Sequence, residues 1–396
     1  MEVAMIDLNE VSAQEIGRRL RLARENAGIR QDEAAKVIDT SRPTLVSIEQ
    51  GQRRVRIQEL QKLAHHYGVS VNALLRRESV HTELMPRFRK LRETEDVETS
   101  EAVRILNNLV RADVELQNVL GHNHRRNYIP EYGINVCDVK ELAERHAQDL
   151  RKRLGLGSGP IADIFSILEF NLDIRLYQRP LPSKVAGLFT YEEGVGACIL
   201  VNANHPLARR TWSAAHELGH FCGTRSSPEV LELHEKFVSR EERYANAFGQ
   251  AFLAPAESFS ESFLQLKSLG TGKITRRIII LLSHQFNISR EACCRRLEDL
   301  ELVKDGTWDW FAKRGGITDE DAKEVLGEMA IRPDAIQSEA KCPLSHRMSL
   351  MAHAAWKREL MSEGQLADLL DVGRVELREI IDQIEIEEET DEQLPH

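Results

Sequence analysis

Two histidines four positions apart, with a glutamate between them, constrain this chain more than any other feature. His216-Glu217-Leu218-Gly219-His220 reads HExxH. Positions i and i+4 share one face of an α-helix, so both imidazoles reach a single cation only if the segment is helical. Glu217 lies beside that face and can take a proton from water at the ion. The stretch before it, Arg210-Thr211-Trp212-Ser213-Ala214-Ala215, allows one unbroken helix from Leu207 to Phe221, and Gly219 permits a close neighbour. A catalytic metal needs a third protein ligand and one open position. Glu242, 22 residues after His220, leaves room for a loop and a return helix from Glu241 to Leu253; Glu241 is the fallback ligand. A His2Glu set of this kind suits Zn2+.

The surroundings read as a small sheet among helices. Val139–Leu154 and Ile161–Glu169 have helical periodicity. Leu172–Leu176, Gly187–Tyr191 and Ala197–Val201 read as strands, the last two joined by a turn at Gly194 and Gly196. Ala197–Val201 precedes the HExxH helix and is expected to be an edge strand that pairs with extended substrate. Cys198 on it is either a small buried core residue or a candidate inhibitory thiol that ligates zinc in a latent state. Ala254-Pro255 stops the return helix, Lys273–Leu300 is helical, and Thr318–Ile384 is helical with turns near Pro333 and Pro343.

Composition matters through its distribution. The 396 residues suit two or three domains. With 42% hydrophobic and 29% charged residues, the chain is ordinary globular protein, which excludes a largely disordered or collagen-like one. No run of 18 apolar residues exists, so no membrane partner is expected, and Met1–Asp7 lacks the pattern of a secretory signal. Six cysteines without a CxxC pair fit a reduced, cytoplasmic location. The net charge of -10 hides a basic head: Ser12–Arg77 holds thirteen Lys/Arg against seven Asp/Glu, a surplus of +6. Nucleic-acid contact is therefore expected at this end alone. The head reads as five short helices. The first carries Ile16, Leu20, Ala23 and Ala27 on one face and stops at Gly28; the second is Gln31–Ile38; the third opens at Arg42-Pro43-Thr44 after a cap at Ser41; Ile57–Tyr67 and Val71–Leu75 follow. Thr82–Gly121 is a charged helix whose thin stripe of Leu106, Leu109, Val110 and Leu116 suits a solvated connector or a dimer surface, and His122–Gly133 reads as a linker.

Two resemblances follow from these residues. The stretch from Arg210 through HExxH, then Glu242-Arg243-Tyr244-Ala245-Asn246-Ala247-Phe248 and Phe252-Leu253-Ala254-Pro255, resembles the ImmA/IrrE family of bacterial zinc metallopeptidases over roughly Val139–Leu302. The resemblance implies His216, His220 and Glu242 as zinc ligands and Glu217 as general base. It also implies a helix-turn-helix repressor as protein substrate, cut to induce stress, phage-defence or mobile-element genes. Gly249-Gln250 and Phe252-Leu253-Ala254 depart from the family's usual residues, which affects helix packing rather than the ligands. Ile16–Leu75 resembles the lambda repressor/Cro-like (XRE) helix-turn-helix family, carried by Gly28-Ile29-Arg30-Gln31-Asp32-Glu33-Ala34-Ala35 and Ser41–Gly51. That resemblance implies a double-stranded DNA operator and a homodimer. Gln31 would hold a phosphate and brace the third helix; Ser41, Arg42, Thr44 and Ser47 would face bases; Arg53 and Arg54 would meet phosphates.

The expected fold class is multidomain and mostly α: an all-α helix-turn-helix head at 12–78, a charged helical segment at 79–134, an α+β zincin-like peptidase domain with a small sheet at 135–310, and a helical C-terminal region at 311–396. Ile288–Glu298 and Ser362–Val372 also look like recognition-helix pieces, the former better read as a lobe behind the protease and the latter as an interaction or sensory element. The expected function is a DNA-binding zinc metalloendopeptidase that regulates transcription. The competing reading is a transcription factor whose peptidase-like domain senses a ligand or metal without proteolysis. Self-cleavage within His122–Gly133 is a third.

Overall fold

The computed structural model describes residues 12–67, 69, 71, 74, 97–122, 128–134, 138–225, 229–232, 239–270, 272–327 and 344–391. The chain forms two compact units, Met1–His81 and Thr82–His396. The expected turns at Pro333 and Pro343, most of Val71–Leu75 and the start of Thr82–Gly121 lie outside the described residues.

The first unit is helical because its apolar residues recur at helical spacing and its breaks carry the right residues. α1 (Ala13–Asn26), α2 (Gln31–Val37), α3 (Arg42–Glu49) and α4 (Ile57–Tyr67) bury Ile16, Leu20, Ala34, Leu45, Ile48, Leu60 and Leu63 together. Gly28 adopts φ +69°, the left-handed conformation that ends α1. Gly17 lets α1 approach α3: a Cβ there would lie 2.2 Å from the Ile48 carbonyl oxygen. Arg24 of α1 reaches Glu49 at the end of α3 through two hydrogen bonds, 2.6 and 3.2 Å, both residues being buried.

The second unit is built on one four-stranded sheet, β1 (Arg175–Arg179), β2 (Val185–Glu192), β3 (Gly196–Asn202) and β4 (Glu229–Glu232), in the order β1-β3-β2-β4. β1 runs parallel to β3, and β2 is antiparallel to both β3 and β4. This corrects the expectation for Ala197–Val201: β3 is an interior strand, and the sheet's edges are β1 and β4. Its seven residues are all buried, the two-sided burial that a continuous apolar run signals. The strand expected at Leu172–Leu176 exists but is shifted: Asp173 takes φ 54°, the extended run begins at Arg175, and its first three residues are all buried rather than alternating.

Helices enclose the sheet. α5 (Val97–Leu120) lies against β1 and β2; α6 (Val139–Arg153) packs on α9 (Arg240–Leu253); α7 (Ile164–Ser166) continues into a π turn, Ile167–Asn171; α8 (Leu207–Gly223) carries HExxH. Downstream are α10 (Ala256–Leu269), α11 (Arg276–Phe286), α12 (Arg290–Asp299), α13 (Thr307–Ala312) and α14 (Asp319–Leu326). α15 (His346–Lys357), α16 (Glu363–Leu370) and α17 (Arg374–Asp391) follow. Asn287, at φ 54°, breaks the helix expected over Lys273–Leu300 into α11 and α12.

Two expectations change here. Leu106, Leu109, Val110 and Leu116 are buried within the same unit, so the stripe on α5 is neither solvated nor left for a second copy. Between them Asp113 is fully buried and holds Arg175 of β1, a 2.9 Å hydrogen bond from Tyr177, and Arg347 of α15. The described part of His122–Gly133 is not a free linker either. Tyr128, Ile129 and Tyr132 pack on the core, and Arg225 donates to the Ile129 carbonyl at 2.8 Å. α12, by contrast, matches its expected place as a packed lobe, burying Cys293, Cys294 and Leu297 in the core.

Candidate metal centre

α8 and α9 cross so closely that only small residues fit at the contact. A Cβ on Gly219 would lie 2.8 Å from the Ala245 Cα, and one on Gly249 would lie 3.2 Å from the Ala215 carbonyl carbon. Gly219 therefore plays the packing role its size suggests. Ser239 starts α9 by accepting a hydrogen bond from the Glu242 amide at 3.1 Å, which fixes Glu242 in the first turn. Cap and crossing together aim the Glu242 carboxylate at α8.

His216 and His220 are fully buried, and Glu242 is nearly so. The Nε2 atoms of the two imidazoles stand 3.1 Å apart. Glu242 Oε2 lies 3.4 Å from His216 Nε2, and its Oε1 lies 3.2 Å from His220 Nε2. Separations of this size match adjacent corners of a tetrahedron whose centre is about 2.0–2.1 Å from each donor. These three residues form the metal-competent His/Cys/Asp/Glu group among the described residues. Glu241 is not part of it.

The remaining hydrogen bonds fix which nitrogens face inward. His216 Nδ1 donates to Asn246 Oδ1 at 3.1 Å. Thr224 Oγ1 gives its own proton to the His220 carbonyl, so it accepts from His220 Nδ1 at 3.0 Å. Both Nε2 lone pairs then point at each other and at a carboxylate, in a buried site. A cation is what reconciles that donor set. Burial lowers the His220 imidazole to about 4, which keeps it neutral and ready to ligate.

Glu217 is fully buried on the side of α8 that faces β2. A Cβ on Gly187 would lie 2.8 Å from Glu217 Oε1, so a glycine in mid-strand makes room for this carboxylate. Phe189, two residues along β2, stacks on His220 with centroids 6.5 Å apart. Trp212, one turn before His216, lies 5.3 Å from its ring. Cys198 is corrected as an inhibitory thiol. Period-two alternation on β3 sends Ala197, Ile199 and Val201 into the core shared with α8. Cys198 falls on the opposite face, where its electrostatic neighbours are Arg175, Tyr177 and Tyr128.

Asn246, Thr224 and Gly187 make contacts in this cluster that the sequence reading did not assign. Asn246 stands four residues after Glu242, one turn further along the same face, and that spacing was a readable signal. Thr224 and Gly187 had none, because each acts through a tertiary contact.

The head places its expected residues less evenly. Gln31 opens α2; its Nε2 donates to Glu49 at 3.0 Å and its Oε1 accepts from Arg42 at 3.3 Å. It thus braces α3. Ser41 occupies the N-cap position of α3 without capping it, its hydroxyl instead lying 2.9 Å from Thr44 Oγ1. Arg42 is exposed at the start of α3, while Ser47 donates to the Pro43 carbonyl at 3.0 Å. Arg53 is tied to Glu59 at 2.8 Å, so part of its charge is answered within the chain. Arg54 is exposed.

Comparison with known proteins gives two family matches. Residues 171–298 match the M78 peptidase family, described as an IrrE N-terminal-like domain. Residues 15–77 match a family described as a helix-turn-helix domain. A comparison with curated proteins returns no match. Among solved structures, the chain is similar to the crystal structure of ComR from Streptococcus suis, at 12% identity with 97% of each chain covered. The TM-score of 0.16 means that this likeness carries no argument.

Proposed function

We propose that this chain, which joins a helix-turn-helix domain to an IrrE N-terminal-like peptidase-family domain, is a DNA-binding zinc metallopeptidase. It regulates transcription by hydrolysing a peptide bond in a repressor protein. The observation that carries the reading is the convergence of His216, His220 and Glu242 beside a buried Glu217. Zinc, when bound, polarises the scissile carbonyl and activates water for attack. His216, His220 and Glu242 would hold it, and Asn246 and Thr224 orient the two imidazoles. Glu217 takes the proton from the attacking water and passes it to the departing amine. Phe189 and Trp212 wall the site with apolar surface. In the head, Arg42 at the exposed start of α3 and Arg54 beyond it are the residues best placed for operator contact.

A separate protein substrate is favoured over self-cleavage in the His122–Gly133 stretch. The Tyr132 amide is tied to the Cys222 carbonyl at 2.7 Å. Arg225 lies 4.0 Å over the Phe221 ring while holding the Ile129 carbonyl. Residues 123–127 lie outside the described residues.

The test pairs two variants of the full chain. Metal content is measured, then cleavage of co-expressed helix-turn-helix repressors by the wild type and by Glu217→Gln. Arg42→Ala is assayed for operator binding. Zinc near one per chain, with cleavage lost in Glu217→Gln, supports the peptidase. If Glu217→Gln leaves regulation intact while Arg42→Ala abolishes it, the chain is a sensor-type transcription factor and the peptidase reading fails.

A further inference from the structure

Resting on the peptidase reading, the structure points to a further device: we infer that β4, Glu229–Glu232, occupies the strand position that substrate must take. Three observations carry it. β2 is the strand against the general base, since Gly187 faces the Glu217 carboxylate. One side of β2 is paired with β3, so only its other side can accept a guest strand. That side is filled by β4, antiparallel, with Val185 opposite Glu232, Leu188 opposite Val230 and Phe189 opposite Glu229.

The register gives the arrangement its meaning. Gly187 pairs with Leu231, so the middle of β4 lies opposite the residue that touches the base. An extended peptide added to β2 would use the same row of amides and carbonyls and pass the same point. β4 also lies in the chain between α8, which carries the two histidines, and α9, which carries Glu242. It is therefore tethered beside the site at high effective concentration. With four residues it is a short strand, and its ladder is irregular between Val185 and Gly187. Such a strand holds few hydrogen bonds and is suited to exchange with a longer one.

The chain so read is self-occluded. The substrate it accepts is an extended, unfolded segment able to replace β4 along Val185–Phe189, antiparallel to β2. Folded proteins without such a segment are left uncut. The apparent affinity for substrate is reduced by the fraction of time β4 is away.

The experiment uses the zinc-loaded full chain in three forms. In Leu188→Cys/Val230→Cys an oxidised cross-link locks β4 in place. In Val230→Pro/Leu231→Pro the strand is disabled, because adjacent residues alternate between inward and outward amides and one of the two must donate to β2. The third form is wild type, and zinc content is measured for all. Hydrogen exchange reads β4 without any activity. The inference expects amides of β2 that face β4 to exchange through a local opening while β3 stays protected, and the cross-link to remove that opening. Exchange of β2 and β3 together, only on global unfolding, overturns it. Binding of fluorescent casein, an unfolded probe, is expected to rise about 10- to 100-fold in the proline form, as for a minor open state of 1–10%. It is expected to vanish in the cross-linked form until reductant is added. Unchanged binding in both variants overturns the inference. Casein binding that follows this pattern, with the helix-turn-helix repressors cut by no form, would instead overturn the peptidase reading and leave β4's role standing.

Discussion

Glu217 and the two imidazole-orienting residues separate chemistry from metal binding at single positions. Glu217→Gln keeps the shape and removes the base, so peptide hydrolysis is expected to fall about 10²- to 10⁴-fold while zinc content is unchanged. Asn246→Ala and Thr224→Ala do the converse. Each frees an imidazole Nδ1 that is now held at 3.1 or 3.0 Å. Zinc affinity is expected to drop about 10- to 100-fold, read by competition with a chromogenic chelator. The convergence of His216, His220 and Glu242 was legible in the sequence because HExxH encodes its geometry through helical periodicity, and Glu242 follows at a spacing one helical return can span. Thr224 and Gly187 were not legible. One acts through a side-chain contact at the end of α8, the other through what it lacks, and no periodicity marks either.

Between elements, the crossing of α8 and α9 decides whether three ligands become one site. Gly219→Val places a branched side chain where a Cβ already lies 2.8 Å from the Ala245 backbone. Overpacking of this kind costs about 1–3 kcal/mol. The variant is expected to lose zinc affinity although every ligand is intact; unchanged affinity would show that the crossing is not what sets the ligand geometry. Strand order shows where reading by pattern stops. Alternation and apolar runs located β2 and β3 along the chain, yet the run at Ala197–Val201 was assigned to an edge. Burial on both faces tells of an interior strand, and only the pairing with β1, a parallel partner some twenty residues upstream, reveals why. α5 was misjudged for a related reason. Its stripe is thin by count, and Asp113 within it reads as a solvent-facing charge until Arg175, Tyr177 and Arg347 converge on it from other elements.

At the scale of the whole molecule, the net charge of -10 divides into a basic helix-turn-helix head and an acidic remainder. Operator affinity of the full chain is expected to fall with rising salt, and Arg42→Ala/Arg54→Ala is expected to reduce the slope of log K against log salt by roughly 1–2. Zinc content should not change. Acid tests the second unit. Burial works against the Asp113 carboxylate, and the charges of Arg175 and Arg347 hold it below the ordinary carboxylate range. Its stabilisation is therefore present above about pH 4, the unfolded value, and is lost as pH falls through the lower folded value. Asp113→Asn leaves Arg175 without its buried carboxylate partner and Arg347 with Asp173 alone, 3.2 Å away, at a cost of about 3–5 kcal/mol. Thermal unfolding of the second unit should shift to lower temperature, and the mutant's stability should depend less on acid below pH 4.

The same carboxylate sets a clock on synthesis. Asp113 leaves the ribosome 62 residues before Arg175 and 234 residues before Arg347. At about 5–20 residues per second, Arg175 arrives within seconds, but Arg347 arrives on the order of ten to fifty seconds after Asp113. Every metal ligand has been made by then. A message truncated before codon 347 therefore yields a chain with the helix-turn-helix head and the complete HExxH set, but without α15, which packs on α5. Such a product should be short-lived in pulse-chase labelling, because the apolar stripe of α5 loses the helix that packs on it.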